Sequence, residues 1–243
     1  MSRILNIATY RFVAIADPAA LKAEWLPKAV AVGLKGTILI APEGVNMFLA
    51  SAETTVRSFL AMVNDDARFN DLDIKESWSD DVPFKRIRIK LKPEIVTFRQ
   101  AGIDPVNAPA PFMAASELKR RLDAGENIVL LDTRNDVEFE KGTFNNALYW
   151  GNRNFTEFAD AAREHIDELE NKTVVSFCTG GIRCEKAAPF LQSLGVKNVF
   201  QLQGGILRYF EEVGHDHYTG DCFVFDERRA VDAVLEKSAA SGL

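Results

Sequence analysis

The sequence predicts an α/β protein in two unlike parts, an antiparallel α+β sandwich followed by a doubly wound parallel sheet. Three observations carry that expectation. Up to Lys92 the apolar period switches between 2 and 3.6 in the order β, α, β, β, α, β. Prolines then crowd 93–115, and from Ser116 short β-branched runs alternate with helical ones.

Size and composition allow two cores, with 243 residues of which 47% are hydrophobic. No apolar run approaches the roughly 18–20 residues that span a bilayer, and Met1-Ser-Arg-Ile-Leu-Asn lacks a signal peptide's apolar stretch. A cytoplasmic protein with no membrane partner is expected. Three cysteines, Cys178, Cys184 and Cys222, form no disulfide framework and fit a reducing compartment. The three histidines, His165, His215 and His217, match no zinc spacing, so no metal is expected. A net charge of -6 argues against generic polyanion binding and leaves only local patches for it.

In chain order, 4–14 reads as a strand, 18–32 as a helix with Pro18 in its first turn, and 36–41 as a strand. The turn Ala41-Pro42-Glu43-Gly44 leads into a strand at 45–50. Residues 54–64 read as a helix capped by Thr54 or Ser51, with Val56, Phe59, Leu60 and Val63 on one face. Strands follow at 74–78 and 87–91. This is the order of a split βαβ, ferredoxin-like sandwich, with helices on one face of the sheet and the other face free for a ligand.

The strand Arg86-Ile-Arg88-Ile-Lys90-Leu-Lys92 puts four cations on one face and three aliphatics on the other, and Lys85 extends the basic edge. Two readings stand: a solvated edge protected against aggregation, or a track of phosphate contacts along an RNA backbone. In the stretch from Lys35 to Asn46, Glu43 and Asn46 flank Gly44, a pattern that turn chemistry also explains.

Pro93, Pro105, Pro109 and Pro111 make 93–115 a linker between a domain at 1–92 and another at 116–220, with 221–243 as a C-terminal extension. Ser116 is the expected cap of a helix ending near Gly125. Ile128 to Leu131 then form a buried strand delivering Asp132-Thr-Arg134, paired charges better suited to bracing loops than to reacting. An amphipathic helix at 155–169, a strand at 199–202 and a tight turn Gln203-Gly204-Gly205-Ile206 into an aromatic helix complete the alternation. Helices on both sides of a parallel sheet put ligands at the strands' carboxyl ends.

One such end carries Thr173-Val-Val-Ser-Phe-Cys178-Thr179-Gly180-Gly181-Ile182-Arg183-Cys184, a strand, a loop and the start of a helix reaching Leu194. Cys178 faces that helix's N-terminus, where unpaired N–H groups and the dipole favour a thiolate. Gly180 and Gly181 let successive N–H groups turn inward, and Arg183 adds a fixed charge. The set suits a nucleophilic thiol; the alternative is a structural cysteine beside a tight turn. Cys184 reads either as a resolving thiol or as a small packing residue.

Cys178-Thr-Gly-Gly-Ile-Arg183 resembles the active-site loop of rhodanese domains, whose cysteine carries a persulfide. Cysteine phosphatases place five residues between Cys and Arg, whereas four stand here, a cradle sized for sulfur. Asp132-Thr-Arg134 with Glu138 and Gly142 resembles a second rhodanese signature, although Gly142-Thr-Phe-Asn-Asn-Ala147 lacks the histidine many rhodaneses have after that glycine. Together with the Lys35–Asn46 stretch, the basic strand and Cys222-Phe-Val-Phe-Asp226-Glu-Arg228, these motifs make the chain from about Ile4 to Asp232 resemble the bacterial tRNA uridine hydroxylases.

The resemblance implies a rhodanese-like second domain and tRNA as partner through its anticodon region. It also implies hydroxylation of carbon 5 of uridine 34 by molecular oxygen, with Cys178 as the essential thiol and an unidentified electron donor. No metal or flavin site is evident to activate oxygen. The same loop also fits a sulfurtransferase working through a Cys178 persulfide.

Overall fold

A computed structural model describes residues 3–224, 230–232 and 235. Asp226 and Arg228 of the Cys222–Arg228 motif lie outside the described residues. The chain forms two compact units, the first ending at Val96 and the second beginning at Thr97.

The first unit contains β1 (Ile4–Phe12), α1 (Pro18–Ala31), β2 (Lys35–Ala41), β3 (Gly44–Ala52), α2 (Glu53–Asn64), β4 (Lys75–Ser79) and β5 (Ile87–Leu91). The sheet order is β4-β1-β3-β2-β5, and β1, β2, β3 and β4 pair antiparallel in the ferredoxin-like manner. The basic strand β5 is an addition at the edge and runs parallel to β2, with Ile38 beside Ile89. The sheet is therefore mixed, not wholly antiparallel.

Alternation places Leu5, Ile7, Ile38, Ile40, Val45, Met47, Leu49 and Ile89 in one core with Trp25, Phe59 and Phe69. Trp25 meets Phe59 and Phe69 edge-on at 6.1 and 5.2 Å, contacts worth about 1 kcal/mol each beyond the area buried. Asp17 caps α1, its side chain accepting from the Ala20 N–H. Neither Ser51 nor Thr54 caps α2: β3 runs straight into the helix through Ala52, whose side chain has nothing to offer the exposed N–H groups. Glu53 in the first turn complements the dipole instead.

The sheet face opposite the helices is not left entirely free. Glu43 accepts from the Ile95 N–H at 2.7 Å, and Asn46 Nδ2 donates to the Ile95 carbonyl at 3.3 Å, so both polar residues of the turn hold the chain leaving β5.

The second unit contains β6 (Phe112–Met113), α3 (Ala115–Asp123), β7 (Ile128–Asp132), α4 (Asp136–Phe139), β8 (Gly142–Phe144), α5 (Phe158–Glu164), β9 (Thr173–Phe177), α6 (Cys184–Ser193), β10 (Asn198–Leu202), α7 (Gly205–Val213), β11 (Tyr218–Gly220), β12 (Cys222–Phe223) and β13 (Ala230–Val231). Its main sheet is parallel in the order β6-β10-β9-β7. α3 packs on α7, and α5 on α6.

Three local expectations are corrected here. β6 lies inside the stretch read as a linker, because two residues between Pro111 and Ala114 are too few to show a period. Ser116 sits within α3, and Ala114 holds the cap position without a side-chain bond. The helix expected over 155–169 is broken into α5 between two 3₁₀ turns. His165 makes the break, stacking on Trp150 at 5.8 Å and pairing Nδ1 with Glu168 at 2.7 Å.

Candidate active site

β9 runs through the middle of the parallel sheet and delivers Cys178 at its carboxyl end with none of its surface exposed. The chain then turns sharply. Gly181 adopts φ +94°, a conformation that disfavours any residue with a Cβ, and its N–H donates to Cys178 Sγ at 3.1 Å. The charge and N–H of Arg183 favour the same sulfur's thiolate, and α6 begins at the next residue. Gly180 differs from expectation: its φ is not positive, and a Cβ there would meet nothing within 4 Å. The nest needs one glycine, not two.

α7 grips the same loop from its other side. The Ile206 N–H donates to the Cys178 carbonyl and the Leu207 N–H to the Thr179 carbonyl, each at 3.0 Å. That approach requires Gly205, which sits at φ +67° and whose Cβ would collide with the carbonyl oxygen of Cys178. The loop is thus fixed at both its sulfur and its backbone.

Arg183 is anchored rather than loose. Its two terminal nitrogens donate to the two oxygens of Glu138 at 2.6 Å, and Glu138 also accepts from Thr179 Oγ1 at 3.0 Å and from the Asn135 N–H at 3.2 Å. Burial pushes the Glu138 carboxyl up most strongly, but the Arg183 charge, the Arg183 hydrogen bonds, the Arg134 charge and the Asn135 N–H together overcome this and hold it below the usual glutamate range. Ile182, at the loop's tip, is half-buried.

The sulfur chemistry follows from these contacts. Burial alone raises the Cys178 thiol. A hydrogen bond from Cys184, the Arg183 charge and the Arg183 N–H together bring it down to about 5, while the Glu138 charge opposes them. Cys184 moves the other way: burial and the neighbouring Cys178 push its thiol well up. Cys222 is also buried and pushed up to about 12. A stable thiolate beside a protonated thiol is a site for nucleophilic addition.

Asp132 and Arg134, both without exposed surface, pair at 2.7 Å. Arg134 also donates to the Gly142 carbonyl at 2.6 Å, and Thr143 Oγ1 to Asp132 at 2.8 Å, which ties the end of β7 to β8. Cys178, Thr179, Gly181, Arg183 and Cys184 therefore converge at one carboxyl edge, with Asp132 and Arg134 stiffening the strand beside it.

The basic residues Lys85, Arg86, Arg88, Lys90 and Lys92 belong to the first unit, and all are exposed. None forms an ion pair with a described residue. Sequence reasoning placed Glu138 in the second rhodanese signature but missed its anchoring role, since a charge between Val137 and Phe139 on a short helix does not name Arg183 as partner. His215 Nε2 bonds the Gly220 carbonyl and His217 Nε2 bonds Asp123, so the two do not converge. Among the described residues no three His, Cys, Asp or Glu side chains gather as metal ligands.

A parallel sheet ending in a cysteine cradled by loop N–H groups at a helix start defines a rhodanese-type thiol protein, and residues 114–212 match the rhodanese-like domain family. Residues 4–95 match a second family, the UPF0176 acylphosphatase like domain. Full-length relatives join the two. A tRNA uridine(34) hydroxylase of Variovorax paradoxus is 53% identical over 99% of this chain and 93% of that protein. One of Bordetella avium is 52% identical over 96% of this chain and 98% of its own length. This chain belongs to the tRNA uridine(34) hydroxylase family. Among solved structures, the rhodanese-like domain of an Anabaena sp. protein is 24% identical, covering 45% of this chain and 79% of that one at a TM-score of 0.39.

Proposed function

We propose that this protein hydroxylates carbon 5 of uridine 34 in tRNA, with molecular oxygen as co-substrate and Cys178 as nucleophile. The relatives named for this activity match along nearly the whole chain, both units included, and that single observation carries the reading. Carbon 5 of uracil is a poor carbanion until a nucleophile adds at carbon 6. The Cys178 thiolate supplies that nucleophile, and the Arg183 charge with the loop N–H groups stabilises the sulfur before attack. Because Cys178 is wholly buried, an anticodon base turned out of its stack reaches it only when the residues covering it shift.

The exposed cations of β5 serve as phosphate contacts that position the tRNA without reading its sequence. The reaction takes place where tRNA is processed, in the cytoplasm. Nucleoside analysis of tRNA from cells lacking this protein tests the reading. Loss of 5-hydroxyuridine derivatives, restored by the wild type and not by Cys178→Ser, is the expected result; loss of 2-thiouridine would point instead to sulfur transfer. A 5-fluorouridine RNA should leave an adduct on Cys178 detectable by mass spectrometry, and its absence under turnover conditions rejects the carbon 6 route.

A further inference from the structure

Addition at carbon 6 uses one thiol, yet the site holds two. Cys184 has no exposed surface, and its sulfur lies 3.8 Å from Thr133 Oγ1, which donates at 3.0 Å to the carbonyl of Phe177, the residue before Cys178. The loop folds back on itself between the two cysteines: the Cys184 N–H donates to the Gly181 carbonyl at 3.0 Å while the Gly181 N–H donates to Cys178 Sγ at 3.1 Å. A thiolate and a protonated thiol buried in one short loop are the starting arrangement of a dithiol that can close to a disulfide.

Hydroxylation by dioxygen leaves one oxygen atom to be reduced to water, which takes two electrons and two protons. A dithiol closing to a disulfide releases two of each. We propose that Cys178 and Cys184 supply those electrons, forming one Cys178–Cys184 disulfide for each 5-hydroxyuridine made. This inference rests on the hydroxylase reading above and goes beyond it by naming the immediate reductant.

The steps balance. The Cys178 thiolate adds to carbon 6 and places an electron pair on carbon 5. That carbon bonds to dioxygen, and a proton from solvent completes a hydroperoxide. Cys184 sulfur attacks the outer peroxide oxygen, the O–O bond breaks, carbon 5 keeps a hydroxyl, and Cys184 becomes a sulfenic acid. Loss of the carbon 5 proton expels Cys178 from carbon 6 and restores the double bond. The freed thiolate displaces hydroxide from the sulfenic acid; the S–S bond forms, and the hydroxide takes a proton to become water. In sum, uridine, dioxygen and two thiols give 5-hydroxyuridine, one disulfide and one water. A thiol reductant then reopens the disulfide for the next cycle.

The test uses the full chain, reduced and then freed of reductant, with unmodified tRNA under oxygen. Nucleoside mass spectrometry counts 5-hydroxyuridine, and differential alkylation with peptide mass analysis reads each cysteine. One turnover per enzyme, an equal yield of Cys178–Cys184 disulfide, and resumed turnover on adding dithiothreitol are expected. Cys184→Ser, checked for wild-type thermal midpoint and tRNA affinity, should lose at least tenfold in this turnover while still forming the Cys178 adduct with 5-fluorouridine RNA. Should Cys184→Ser not fold, the wild-type cysteine count alone decides. Product formed while Cys184 stays a free thiol overturns the inference and leaves the hydroxylase reading intact. No product from the wild type, even with dithiothreitol present, overturns both.

Discussion

The Glu138 carboxylate holds both terminal nitrogens of Arg183 at 2.6 Å, with side-chain exposures of 0% and 7%. A buried charge left without its partner is far costlier than the pair itself. Glu138→Ala strands Arg183 and should lower stability by about 3–5 kcal/mol. Glu138→Gln keeps the shape but not the charge and should fall between Ala and wild type. Urea unfolding checks both; a wild-type midpoint for Glu138→Ala would show that the pair does not hold the loop. The folded Glu138 pKa lies below its unfolded value, so this contribution is intact at neutral pH. It fades only as pH falls through the folded value, below the ordinary glutamate range.

Gly205 packs against the Cys178 loop and Gly180 lies within it, and they should respond differently to an added methyl. Gly205→Ala puts a Cβ into the Cys178 carbonyl at a φ of +67°. The backbone conformation alone costs about 1–2 kcal/mol, and the clash adds to it by pushing α7 off the loop. Gly180→Ala meets nothing within 4 Å and should leave the thermal midpoint unchanged. Equal midpoints for the two variants would mean that α7 does not grip the loop as its hydrogen bonds indicate.

The thiolate of Cys178 should be visible as an ultraviolet titration that Cys178→Ser removes. Its midpoint is expected near 5 in the folded protein, against about 8.5 for a free cysteine. The pKa is depressed, so the thiolate is complete at neutral pH and is lost on acidification. Cys184→Ala deletes the hydrogen bond that lowers the Cys178 pKa most, and the midpoint should move upward. A midpoint in the ordinary thiol range in the wild type would leave carbon 6 addition without its nucleophile.

The thiol loop was legible in sequence because its parts are consecutive: a β-branched strand, a glycine at positive φ, an arginine and a helix start. The contacts that shape it were not. Glu138 lies 45 residues before Arg183 in the chain, and Gly205 and Ile206 reach the loop from α7, beyond both α6 and β10. Composition carries no trace of such pairings. In the first unit the strands β1, β2 and β3 were readable, β2 with alternating burial, but the parallel placement of β5 against β2 was not, since a strand's own period does not name its neighbour. Short elements such as β6 and the broken segment around His165 fell below the length at which a period can be counted.

That placement of β5 gives its cations a common direction. Parallel pairing with β2 sets Arg88 beside Thr37 and Lys90 beside Leu39, so Arg86, Arg88 and Lys90 project together from the sheet face opposite the buried Ile89. Their side chains are exposed and form no ion pair with a described residue, so replacing all three with Gln should leave the fold and its unfolding midpoint nearly unchanged. If the strand tracks phosphates, each lost contact removes about 0.7–0.9 from the slope of log affinity against log salt. The triple variant should then bind tRNA more weakly at low salt, with a slope shallower by roughly 2–3. Because phosphate contacts position without specifying, the loss should be similar for cognate and non-cognate tRNAs. Affinity and slope equal to the wild type would assign these cations to protection of an exposed strand edge, the other reading that their alternation allows.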